Sequence, residues 1–139
     1  RLHITVSALN AFHLVPLLKT LIEKKYLGLN KGQFKEFDFG LVEYPEYYDI
    51  GIFNSVEREE LKLHYQKFID EVKKTQPKSI SKMIEIQLLS VLSYLQGNEK
   101  PEAREKFKVA TIKVDQLRNE KLLSLFPELI GLMVESRLS

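Results

Sequence analysis

The chain has 139 residues, 44% of them hydrophobic, and its 21 basic and 19 acidic residues leave a net charge of only +2. That length is one domain or a large piece of one, and the composition excludes an intrinsically disordered chain. Charges that nearly cancel also argue against a dedicated electrostatic nucleic-acid surface, which would gather unbalanced Lys and Arg.

Leu2-His3-Ile4-Thr5-Val6 is short and carries β-branched residues, and predicts a strand. The chain opens inside this strand on Arg1, which reads as a piece cut from something longer. Leu9-Asn10 is a turn. Val15-Pro16 opens a helix whose apolar stripe is Leu14, Leu17, Leu18, Leu21 and Ile22. Tyr26-Leu27-Gly28 closes it, with Gly28 as a left-handed cap. A loop over 29–35 follows. Phe37, Phe39 and Leu41 alternate with Asp38 and Gly40 and predict a second strand. Pro45 interrupts it, and the alternation of Tyr48, Ile50 and Ile52 predicts a short third one.

Asn54 and Glu57 stand three apart, the spacing of a capping box, and begin a helix with the stripe Leu61, Tyr65, Phe68, Ile69 and Val72. Its charges, among them Glu57, Arg58, Glu59 and Glu60, read as a solvated face. Pro77 ends it. Met83–Leu95 is apolar around most of its circumference, which predicts burial on more than one side. Gly97-Asn98 stops that helix, and Lys100-Pro101-Glu102 starts the next, with Phe107, Ala110, Val114 and Leu117 as its core stripe. Pro127 begins a final short turn. The order predicts a helix-rich α/β fold. Residues 1–54 form a strand–helix–strand segment with a possible third strand, and residues 55–139 a helical extension packed on it. Two or three parallel strands make a poor sheet alone, because such strands take neighbours and cover on both faces.

No cysteine is present, which excludes disulfides, a thiolate nucleophile and a cysteine-ligated metal or iron–sulfur site within these residues. His3, His13 and His64 have no metal-ligand spacing, so no metal residues are assigned. No apolar run has the roughly 18 residues of a membrane span, and no signal-peptide pattern is visible. A cytoplasmic protein that does not bind membranes is expected.

The stretch from Phe107 to Leu129, FKVATIKVDQLRNEKLLSLFPEL, places Thr111, Asp115 and Arg118 at helical spacing and ends on Phe126-Pro127-Glu128-Leu129. It resembles the C-terminal tail of twitch-domain-containing radical S-adenosylmethionine (SAM) proteins of a group with many phage members. LHITVSALNAFHLVPLLK looks like the fifth strand–turn–helix of their partial (β/α) barrel, and FDFGLVEYPEYYDI like the sixth strand and its exit. The resemblance covers nearly the whole chain and is most specific over Phe107–Leu129. It implies that this chain is the C-terminal region of such an enzyme. For the parent protein only, it implies a 4Fe–4S cluster and SAM, held by an N-terminal half that carries the family's Cys-x3-Cys-x2-Cys motif. That half would be the partner of this chain, beside an unidentified substrate. Asn10 would then lie at the cofactor-binding mouth of the barrel.

Tyr44, Tyr47 and Tyr48 crowd around Pro45 at the second strand's exit. Tyr44 and Tyr47 are candidates for stacking on a substrate, and the same aromatics also serve to close the end of a core. Asp115 and Arg118 are three apart on a helix and would form a structural ion pair. No residue of this chain is assigned a catalytic role. A non-catalytic helical protein–protein interaction module is the alternative, because amphipathic helices over 56–74 and 103–117 would dock a partner equally well.

Overall fold

A computed structural model describes residues 1–118 and 121–133. Two parallel strands, β1 (Leu2–Val6) and β2 (Phe37–Leu41), are joined by α1 (Leu14–Glu23). They pair in register from Leu2 opposite Phe37 to Val6 opposite Leu41. The alternation seen in the sequence has its ordinary cause. Leu2, Ile4, Val6, Phe37, Phe39 and Leu41 all join the core, while His3 and Thr5 are exposed.

α1 ends at Glu23, five residues before Gly28. The left-handed residue after it is Lys25, at φ 57°. Gly28 instead donates to the Phe34 carbonyl, beside a bridge between Leu27 and Phe34. The third strand does not form. Glu46–Tyr48 and Ile50–Ile52 are 3-10 turns. The backbone there bonds to itself three residues back, Asp49 N–H to Glu46, Ile52 N–H to Asp49 and Phe53 N–H to Ile50, and the buried Asp49 carboxylate caps the Gly51 N–H, which leaves no extended ladder. The structure is therefore helix-rich α/β with a two-stranded parallel sheet among the described residues.

Four longer helices carry the rest: α1, α2 (Ser55–Thr75), α3 (Lys78–Gly97) and α4 (Pro101–Arg118), followed by the short α5 (Leu122–Leu125) and α6 (Ile130–Met133). α2 begins with the capping box foreseen at Asn54 and Glu57, and its stripe from Leu61 to Val72 is buried as expected. α3 differs from expectation. Only one face is covered, along Ser81, Ile84, Leu88, Val91 and Leu95, while Ile86 and Leu89 are exposed. α4 differs too. Its buried residues are Ala103, Arg104, Phe107 and Thr111, whereas Val114 and Leu117 face outward. One buried cluster runs from Val6 to Leu132, so residues 1–54 and the helices after them share a core. No helix among the described residues is long and apolar enough to cross a membrane.

The two edges of the sheet are treated differently. On the outer side of β2, the Phe39 N–H donates to Gln87 Oε1 of α3 at 3.0 Å. On the outer side of β1, the Thr5 carbonyl accepts from Asn10 Nδ2 at 2.7 Å. Among the described residues, no strand lies beside that edge.

Candidate functional site

Parallel strands bring both of their C-terminal ends to one side, and the candidate residues of the sequence gather there. Asn10 builds the exit of β1. Its Oδ1 accepts from the Ser7 N–H at 2.8 Å while its Nδ2 donates to the Thr5 carbonyl. The short amide side chain thus reaches back to two backbone groups, three and five residues earlier, and replaces backbone partners there. The Ala8 N–H then donates to the Tyr48 carbonyl at 2.7 Å and ties the two strand exits together. Asn10 therefore shapes the exit of β1 through bonds to the Ser7 N–H and the Thr5 carbonyl.

The three tyrosines separate. Tyr44 is 80% exposed and stands clear of the core. Tyr47 and Tyr48 meet edge to face at 4.7 Å, and Tyr48 meets Phe107 of α4 in the same way at 6.3 Å. Tyr47 lines a shallow groove with Lys106, Val109 and Lys113 of α4. Tyr44 projects from the strand exit, and Tyr47 belongs to the seam between that exit and α4.

The tail returns to the same end of the sheet. Glu128 pairs with His13, just after the β1 exit, and the Phe126 ring meets the His13 ring edge to face at 5.0 Å. Leu129 and Leu132 are buried. The Phe126–Leu129 signature is thus a docking element for the β1–α1 turn. The expected Asp115–Arg118 pair is not among the ion pairs of the described residues. The Asp115 carboxylate instead accepts from the Leu122 N–H, at 3.1 and 3.2 Å from its two oxygens. It caps the first residue of α5, and a fixed backbone donor there replaces the flexible guanidinium. Thr111 of the same helix is buried.

Three polar centres behind the strand exits escaped the sequence. Asp49 has no exposed surface and accepts from the Gly51 N–H at 2.7 Å, Tyr94 Oη at 2.7 Å and Lys100 Nζ at 2.8 Å. The bond to Asp49 raises the Lys100 pKa above its ordinary value. Burial, then the same carboxylate, raises that of Tyr94. Arg58 donates to the carbonyls of Phe53, Gly51, Asn98 and Leu95 and so closes the C-terminal end of α3. Arg104, 4% exposed, meets both oxygens of Glu57 and the carbonyls of Ile52 and Gly131. Glu57 and Arg58 are therefore not members of a solvated face. The capping-box position of Glu57 was a signal, since it brings that carboxylate back over the start of α2. The place of Arg104 one residue from Ala103, on the Phe107 side of α4, was another.

His3 is not isolated either. Its Nδ1 lies 3.0 Å from Asp38 Oδ2 on the neighbouring strand, and Arg1 Nε lies 3.2 Å from Oδ1. The bond to His3 is the largest cause holding the Asp38 carboxyl below its ordinary pKa. Among the described residues, no group of three or more His, Asp or Glu is arranged to hold a metal ion. No protein-family model matches the chain, and neither does any curated protein or solved structure.

Proposed function

We propose that this chain is the C-terminal region of a radical SAM enzyme, in which it supplies the last two parallel strands and a helical cover for the reaction chamber. One observation carries this reading most directly. Gln87 of α3 meets the outer edge of β2, whereas beside the outer edge of β1, where Asn10 takes the Thr5 carbonyl, no strand lies among the described residues. A parallel sheet that continues past β1 and stops at β2 has that form. The tail signature closing on His13, beside the β1 exit, supports the same reading, because a cover must attach at the mouth it closes.

The cluster and SAM enter only through the resemblance. The chain has no cysteine, so its own residues do not fit a cluster and no chemical step is assigned to them. The parts proposed for this chain are positional. Asn10 shapes the mouth at β1, Tyr44 offers an exposed ring at the exit of β2, and the α4–α6 tail excludes water. The test is reductive cleavage of SAM to 5′-deoxyadenosine by the polypeptide as its native source makes it, reconstituted with iron and sulfide without oxygen. Cleavage by the wild type, with turnover reduced in Tyr44→Ala, supports the reading. A polypeptide that takes up no cluster overturns it.

The interaction-module reading has one specific observation in its favour. Ile112 of α4 and Leu123, Leu125 and Met133 of the tail line an apolar groove of about 810 Å³. A partner helix laid in that groove would bury these side chains.

A further inference from the structure

We infer that His3 is a proton-accepting group held on the polar face of the sheet, with Asp38 as its orienting carboxylate, for a ligand that brings an O–H or N–H donor. Three observations carry it. Asp38 meets His3 Nδ1 at 3.0 Å, which fixes the Nδ1–H tautomer of the neutral ring and leaves Nε2 as the acceptor. A carboxylate that orients an imidazole through one nitrogen so that the other can take a proton is a recurrent arrangement in proton transfer.

The second observation is the room made for the ring. A Cβ at Gly40 would lie 2.7 Å from both Cε1 and Nε2 of His3, so a side chain at that position would push the imidazole off the sheet. Two positions of β2, Asp38 and Gly40, are thus matched to one ring on β1. The third is access. The His3 side chain is 58% exposed, and Thr5 is exposed beside it on the same face. Arg1 shares the Asp38 carboxylate and also faces Glu36 at 3.9 Å.

The inference deepens the radical-enzyme reading and rests on it for the location of the ligand. In a barrel, side chains alternate between the helix-covered outside and the interior. The apolar face here packs on the core, so the face carrying His3, Thr5, Asp38 and Gly40 is the one a closed barrel would turn inward.

Diethyl pyrocarbonate tests the imidazole on the 139-residue chain itself. Unprotonated Nε2 attacks one carbonyl carbon, forming the N–C bond. The C–O bond to ethyl carbonate breaks, and that leaving group decomposes to carbon dioxide and ethanol. The Nδ1 proton passes to Asp38 and on to water. Rates at His3, His13 and His64 are followed separately by peptide mass spectrometry. His3 is expected to react about tenfold faster in the wild type than in Asp38→Asn, a modest value for proton-transfer assistance at an exposed site. His64 should react equally in both. Gly40→Ala provides a second route, since displacing the ring from Asp38 should slow His3 by a similar factor; circular dichroism of both variants verifies the fold. Equal His3 rates in wild type and a folded Asp38→Asn overturn the proposal. The reagent reads the imidazole whether or not SAM is ever cleaved. A reactive, Asp38-dependent His3 in a native protein that binds no cluster would therefore remove the radical-enzyme reading and leave the dyad standing.

Discussion

The Glu57 carboxylate meets both terminal nitrogens of Arg104, at 2.5 and 3.0 Å, and so ties the first turn of α2 to α4. The same guanidinium reaches Ile52 and Gly131, which makes it the point where the turns after β2, the long helices and the tail are joined. Removing one partner from a buried pair leaves an uncompensated charge. Arg104→Ala should therefore cost about 3–5 kcal/mol of folding stability. Urea denaturation with an unchanged slope reads that loss as a lower midpoint. A loss under about 1 kcal/mol, the worth of an exposed pair, would show that the guanidinium joins nothing.

Gly131 tests the same junction from the tail. A Cβ there would lie 2.5 Å from Glu57 Oε2, with Arg104 Nη2 at 3.6 Å. Gly131→Ala should destabilise by about 1–3 kcal/mol through overpacking, although alanine is the better helix former. A stabilised variant would mean that the tail does not dock on this pair.

Asp115 and Arg118 should behave differently from one another. Asp115 caps the Leu122 N–H, and Asp115→Ala should cost about 1 kcal/mol. Arg118 is exposed and makes no ion pair among the described residues, so Arg118→Ala should stay within about 0.5 kcal/mol of the wild type. Equal losses in the two variants would restore the ion pair that helical spacing implied.

Alkaline pH should weaken the fold in a defined window. Burial holds the Tyr65 hydroxyl, which donates to the Ala11 carbonyl, well above the ordinary phenol range. Tyr94 is raised by burial and Asp49, and Lys100 by its bond to Asp49. Unfolded, these groups release protons from about pH 10 upward, while the folded chain still holds them. The folded state then binds more protons, so stability is fully present below about pH 10 and falls as pH rises above it. Each group contributes a slope of at most about 1.4 kcal/mol per pH unit. Urea midpoints from pH 8 to 11.5 should be level and then fall, less steeply in Tyr94→Phe. A level profile to pH 11.5, or an unchanged slope in that variant, contradicts the Asp49 cluster.

What the sequence disclosed was whatever depends on local pattern. β1, β2, the Asn54–Glu57 box, the break at Pro77 and the helix start at Pro101 all follow from period, capping and proline chemistry acting over a few residues. The turns over 46–52 were hidden because Ile50 and Ile52 mimic a strand's alternation, while Asp49, the polar residue between Tyr48 and Ile50, is itself buried with three partners. The face of α4 was misjudged for a related reason. Apolar period counts Val114 and Leu117, but a satisfied guanidinium at Arg104 and a buried Thr111 set the helix rotation. Asn10 and Tyr44 follow the C-terminal ends of two parallel strands and so lie at one end of the sheet. That Asn10 spends its amide on the Ser7 N–H and the Thr5 carbonyl depends on backbone geometry no spacing rule contains.

The most direct test of the central claim is the intact mass and N-terminal sequence of the polypeptide as its native source produces it. The account predicts a longer chain, with Cys-x3-Cys-x2-Cys upstream of Arg1 and further strands to occupy the open edge of β1. A native polypeptide that begins at Arg1, or one residue earlier at a removed methionine, would contradict it.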